Sequence, residues 1–543
     1  MRSRLVLSCL LFAACSSGGN GNTGTPPDSP VTADAADVFD TPPPPDAGPI
    51  VVFPMTPIVG NGAPSNADVL FGDPSIGIPG GPCIAEPSKG TLLPKKFLRQ
   101  RFRLIPANGE NLFEIRLHTP SIDHDLVAYT ASTTWIVPQA IWDAMNTSLI
   151  DQPIEYRVRA AQWNGTALIG QPTISATGTF RIAPVDAPGT IVYWTSGASG
   201  NTTAFKGFNI GDETVHDVMG PSAVPGGGVL CVGCHTSTPD GKYVAFSANS
   251  TVTDGRNAHV DMRSLDGNAT QPPFLTPSAL TLINRSPNQQ SPAYSAAHWA
   301  DGDHMMLSMF PVSNVPSIIW TNLEATSTDQ GTGWGVIART GDPGQAGAGT
   351  WSHDGQTIAY SSGPLVTSGM NLDNGRGDIY TVPYNGGAGG NATKLLGASD
   401  TNYSESYAAF SRDDALIAFV RVPATQNPYN NPQEEVYLVP RAGGVPTRLM
   451  ANDPMECTAA VSPGASNSWP KWSPKVQLAG TTKYYWLTFS SRRQPGATQQ
   501  IYVAPVTVDA NGAITTYPAV YLWNQPTSES NHTPAWDEFQ VIF

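Results

Sequence analysis

Residues 231–235 read Cys-Val-Gly-Cys-His, and Pro239-Asp240-Gly241 and an apolar run follow. Two thiols three positions apart beside an imidazole are the smallest set that attaches a c-type haem. The thiols add across the vinyl groups, and the imidazole ligates iron from the same stretch of chain. The motif therefore predicts one covalent haem c on Cys231 and Cys234, with His235 as the proximal iron ligand. Three other chemistries draw on the same residues: a tight Cys231–Cys234 disulfide, a zinc site with His235 that lacks an obvious fourth ligand, and a redox-active dithiol. The dithiol expects a helix after the motif, whereas a strand and a turn follow here. No nucleophile elbow or phosphate loop is present, because no Gly-rich turn joins a strand to a helix in the required way. "TDGRNAHVD" and "NLDNGRGD" lack the full spacing of a calcium loop.

The elements around the motif repeat. "STPDGKYVAFSA" (237–248), "HWADGDHMMLSM" (298–309), "TWSHDGQTIAYSS" (350–362), "AFSRDDALIAFVR" (409–421), "KWSPK" with "YYWLTFSSRR" (471–493) and "AWDEFQVIF" (535–543) share a pattern. Most copies place an aromatic residue on a strand, then a polar turn, then an apolar strand. Third strands follow in "DIYTVPYNGG", "EVYLVPRAGG" and "QIYVAPV". The repeat resembles that of TolB-type propellers, whose units carry Trp-Ser-Pro-Asp-Gly at the first turn. Here Pro-Asp-Gly is complete only in the first unit, where Ser237 replaces the aromatic residue. The resemblance implies a six-bladed β-propeller over residues 187–543. Its last unit would be completed by "TIVYWTS", "TAFKGFNI" and "TVHDVM" (190–219), so that the ring is closed by its own termini and leaves no open sheet edge.

In that frame His235 lies two residues before the aromatic position of its inner strand, and a haem would cap one mouth of the channel. His532, four residues before Trp536, enters the blade beside the first and is the leading second iron ligand. His298, next to Trp299, and Met455, in "NDPMECTAAVSP", are the alternatives. Met305, Met306 and Met309 read as packing.

Residues 51–186 alternate over "KFLRQRFRLI", "NLFEIRLHT", "TTWIVP", "IEYRVRAAQW" and "TGTFRIAP", with "VPQAIWDAMNTSL" as one short helix. This strand rhythm resembles a fibronectin type III or immunoglobulin-like module and implies a β-sandwich. The whole chain is thus expected to be all-β, an N-terminal sandwich followed by a propeller. Trp135, Trp142 and Trp163 are expected in packing.

Arg2 and Arg4 precede "LVLSCLLFAA", an apolar run of signal-peptide length, and "LFAAC" resembles the lipobox of bacterial lipoproteins. Residues 1–15 are then a signal segment with Cys15 as the lipidated residue, and residues 16–50 form a Pro-, Gly- and Ser-rich stalk. This places the protein in the bacterial cell envelope, as an outer-membrane or periplasm-facing lipoprotein held to the membrane by lipid alone. With Cys231 and Cys234 on a cofactor, Cys83 and Cys457 remain as a disulfide pair suited to an oxidising compartment. A net charge of -14 argues against a nucleic-acid partner. Three functions stay open at this point. The first is an electron carrier with a redox or envelope protein partner. The second is a haem-free propeller that binds proteins or peptides. The third, less favoured, is an enzyme with an open iron site.

Overall fold

Strand Arg101–Ile105 alternates half-buried and buried side chains, and turns Phe102 and Leu104 inward. It pairs with Cys83–Glu86 on one side and Thr134–Ile136 on the other. Across from this sheet lies a larger one, built on Leu126–Thr130, Leu112–His118 and Ile154–Trp163, with Gly178–Asp186 also paired to Ile154–Trp163. Phe102, Phe113, Trp135, Tyr156 and Phe180 fill the space between the two sheets in one core. Within the larger sheet the fully buried Arg159 and Glu114 are paired at 2.6 Å. Arg159 also donates to the carbonyls of Asp73 and Ile76, so the desolvated charges are hydrogen-bonded as well as paired. The one helix expected in this region forms at Gln139–Ser148, and its Trp142 donates to the carbonyl of Phe97.

The computed structural model describes residues 52–197, 202–224, 228–249, 258–285, 289–364, 366–367, 371–372, 377–494 and 498–541. The signal segment with Cys15, the stalk, and most of the two calcium-like stretches lie outside these residues. Among the described residues no helix is long and apolar enough to cross a membrane.

From residue 190 onward the chain is laid out in six consecutive antiparallel sheets of three strands or more, so the protein is all-β. The first sheet runs His216–Met219, Thr203–Asn209, Thr190–Ser196 and then Ser530–Asp537. Its fourth strand comes from the far end of the chain and pairs from Thr190 with Asp537 to Ser196 with Ser530. The innermost strands of the other five are Cys231–Ser237, Gln290–Ala293, Gln345–Trp351, Tyr403–Phe410 and Ser468–Trp472. Each sheet packs on the next, and the sixth packs on the first. The N-terminal unit is fastened to this assembly by the Cys83–Cys457 disulfide, with Cα atoms 5.9 Å apart. Arg99 adds an ion pair to Glu213 at 2.6 Å, and its carbonyl accepts a hydrogen bond from Trp523.

Candidate functional site: a cavity where six strands meet

Each innermost strand carries the same irregularity. The register slips by one residue after Gly233, Gln290, Gly347, Ser406 and Ser468, and between His532 and Ala535 on the closing strand. At each slip one residue takes a left-handed backbone: Cys234, Ser291, Ala348, Tyr407, Trp469 and Thr533, with φ between 45° and 57°. Such a conformation costs a non-glycine residue roughly 1–3 kcal/mol, so its recurrence means that the surrounding packing enforces it. A bulge of this kind bends the strand and re-aims the side chains near it. All six left-handed residues line one cavity at the centre of the assembly. Three residues beyond each of them stand Ser237, Tyr294, Trp351, Phe410, Trp472 and Trp536, the repeat's aromatic position. This corrects the second unit. The aromatic residue there is Tyr294, and Trp299 lies beyond a one-turn helix, against His304 and Phe274.

The cavity has about 200 Å³ open to the centres of water molecules. Tyr407 and Trp469 stack in its wall with ring centroids 4.0 Å apart. Two residues after the bulge, the lining residues are Thr236, Ala293, Thr350 and Ala409, but the sixth strand places Lys471 there. Burial lowers the lysine's pKa, against the opposing influence of Asp537 and the Cys234 thiol nearby. Burial raises the Asp537 carboxyl, which accepts a hydrogen bond from Ser237. His353 and Arg412 also line the cavity, and His353 is held by Asp414 at 2.8 Å. Sequence reading passed over Lys471 and Arg412. The signal for them was present, since each departs from the small or uncharged type that most other repeats carry at that position.

The Cys-x-x-Cys-His residues do not converge. Cys231 pairs with Asn249 and Gly233 with Ser247 within the second sheet. The Cys234 thiol is hydrogen-bonded to Ser247, whose hydroxyl also accepts from the backbone N–H of Ser291 in the third sheet. His235 turns the other way. Its Nε2 meets the carbonyl oxygen of Val192 at 3.1 Å, and its ring packs on Phe205 at 4.3 Å, both in the first sheet. Burial pushes the Cys234 thiol up to about 12 and the His235 imidazole down to about 4.

A haem needs both thioethers and the axial imidazole on one macrocycle. The bulge at Cys234 instead sends the Cys234 thiol and the His235 imidazole to opposite faces of a paired strand. Nδ1 of His235 is buried without a partner, but the nitrogen that would face iron, Nε2, is held by Val192. This packing therefore does not fit a single haem on Cys231, Cys234 and His235. Cys234 keeps its thiol, so a Cys231–Cys234 disulfide is not formed either. Among the described residues no three His, Cys, Asp or Glu side chains are grouped to hold a metal ion.

The three candidates for a second iron ligand separate. His532 lies near His235, and its charge interaction with His235 and Arg492 adds to burial in lowering its pKa to about 3. Its ring packs at 4.3 Å on Trp194, its partner across the ladder in the first sheet, and is buried there. His298 is bonded to Asp303 at 3.0 Å and stacks on Trp351. Met455 lines a different, smaller cavity beside Glu86, Arg101 and Tyr521, close to the Cys83–Cys457 bridge. Neither is brought to His235.

No protein-family model matches the chain, and no curated protein matches it. Among solved structures it is similar to Kuenenia stuttgartiensis hydrazine synthase, with 12% identity, a TM-score of 0.40, and 64% of this chain and 46% of that chain covered. It is similar to an ancestral GH74 enzyme with 12% identity, a TM-score of 0.35, and 59% and 37% covered. A Cellvibrio cellulosa alpha-L-arabinanase shows 11% identity, a TM-score of 0.25, and 53% and 96% covered. The chain thus spans less than half the length of the first two.

His235 and His532 make the fold acid-sensitive. Both titrate near 6.5 when unfolded but stay neutral in the fold to about 4 and about 3. Between pH 6.5 and 4 the unfolded chain binds protons that the folded protein refuses, so each imidazole removes up to about 1.4 kcal/mol of stability per pH unit as pH falls. Glu405, whose carboxyl burial pushes up to about 7, acts in the opposite sense, so the informative quantity is a difference between variants. Denaturant midpoints at pH 6.5 and 4.5 should fall less for His235→Gln than for the wild type. An equal fall would show that His235 titrates normally in the folded protein.

Proposed function

We propose that this chain is an exported, lipid-anchored envelope protein in which a β-sandwich carries a six-bladed β-propeller closed by its own ends, and that the propeller's central cavity binds a protein or peptide partner. The observation that carries this reading is the convergence of all six innermost strands on one cavity. Its wall joins a stacked Tyr407–Trp469 pair to a few polar groups, the composition of a recognition site rather than of a sealed core. The electron-transfer reading rests on the sequence motif, and the opposite-facing Cys234 thiol and His235 imidazole weigh against it.

The two readings separate in one experiment. The protein is matured in an exporting host with active cytochrome c assembly, run on a denaturing gel, stained for haem and measured as its pyridine haemochrome. The binding-module reading predicts no covalent haem. One haem per chain, absent from Cys231→Ala/Cys234→Ala, would overturn it in favour of an electron carrier or an open-iron enzyme.

The address depends on "LFAAC" and the stalk behind it. Stable anchoring takes at least two acyl chains, which a lipidated Cys15 supplies. Cys15→Ala should move the protein from the membrane to the soluble fraction. Retention in the membrane would assign the anchor to another part of the chain.

A further inference from the structure

We propose that the cavity recognises a terminal carboxylate on a slender stem, with Lys471 as its counter-ion and Arg412 as a second cation lining the same space. The inference rests on the cavity being a binding site and names the chemistry that the site selects.

Lys471 is half-buried, lines the cavity, and makes no side-chain hydrogen bond or ion pair within 4.0 Å among the described residues. An ammonium left this way in a partly desolvated space is costly, and a bound anion is what would satisfy it. The neighbouring strands leave room for that anion. At Lys471's level they present Thr236, Ala293, Thr350 and Ala409, whose side chains are short.

The lining decides the shape of the ligand. Along its strand Lys471 stands between Trp469 and Pro474, and all three line the cavity. A space of about 200 Å³ admits only a slender group beside the lysine, and the stacked Tyr407 and Trp469 at the bulge offer apolar surface to its stem.

Charge decides the headgroup. The ionisable groups whose charge acts on or responds to Lys471 are Asp537 on the last strand, the Cys234 thiol and His235 on the second sheet. His353 and Arg412 reach the same space and interact with Asp537. Lys471 and Arg412 set against an ionised Asp537 leave one net positive charge, which a monoanion balances. A phosphate dianion would leave uncompensated charge beside Asp537, so a carboxylate fits better. Two sources carry this chemistry, a free organic acid and the C-terminal end of a polypeptide.

Isothermal titration of the full-length protein tests the assignment with four probes: butyrate, butyramide, acetyl-trialanine with a free C-terminus, and the same peptide amidated. At least one acid should bind ten-fold or more tighter than its amide, and the tighter of butyrate and peptide identifies the source. Lys471→Met should bring acid binding down to the amide level, while Lys471→Arg keeps the preference. Equal binding of acid and amide, or an undiminished preference in Lys471→Met, overturns the carboxylate assignment and leaves the cavity reading standing. No binding of any probe overturns the assignment and also counts against the cavity. If Lys471→Met does not fold, the acid-to-amide ratio of the unmodified protein decides alone.

Discussion

The pairing of Thr190–Ser196 with Ser530–Asp537 holds the larger part of the molecule in its arrangement. It joins segments more than 300 residues apart, so the entropy of closing that loop must be offset by the ladder itself and by what it buries. The closing strand contributes Ala535 to the core between the first and second sheets, and Trp536 to the core shared with the N-terminal unit. The Trp536 indole donates to the carbonyl of Pro188, at the link between the two units. Without this strand, Thr190–Ser196 would present an unpaired edge, and the sixth sheet would lose the neighbour it packs against.

The packing of the six sheets also explains the cavity. Six strands brought side by side around one centre cannot all run straight into it, and each relieves the crowding with a left-handed residue and a bulge at the same depth. In the second sheet the same device turns the Cys234 thiol and the His235 imidazole to opposite faces. Geometry that serves the packing of the sheets therefore works against the cofactor that Cys231, Cys234 and His235 suggest when read as a string.

Much of the fold was legible in the sequence for a physical reason. Alternation such as that of Arg101–Ile105, and apolar runs such as Tyr485–Phe489, follow from strands with one or both faces buried. The turns after Trp351 and Phe410 are marked by Asp354 and Asp413, whose carboxylates accept from nearby backbone N–H groups and from Ser352 and Ser411. Other features had no local signature. The left-handed positions are Cys, Ser, Ala, Tyr, Trp and Thr, none of which favours positive φ, so the bulge is imposed from outside the strand. Trp299-Ala300-Asp301-Gly302 imitates the repeat's turn, which hid the role of Tyr294. Lys471 gains its meaning only when five other strands surround it.

The pairing of Thr190–Ser196 with Ser530–Asp537 should be as secure as any other ladder in the assembly. Native-state hydrogen exchange at rising denaturant tests it most directly, by comparing the amides of Ile191–Thr195 with those of Leu487–Ser490 in the sixth sheet. The account predicts that both sets exchange only through global unfolding and converge on the same free energy and the same denaturant dependence. Exchange of Ile191–Thr195 through a smaller, denaturant-insensitive opening, while Leu487–Ser490 stay protected, would contradict it.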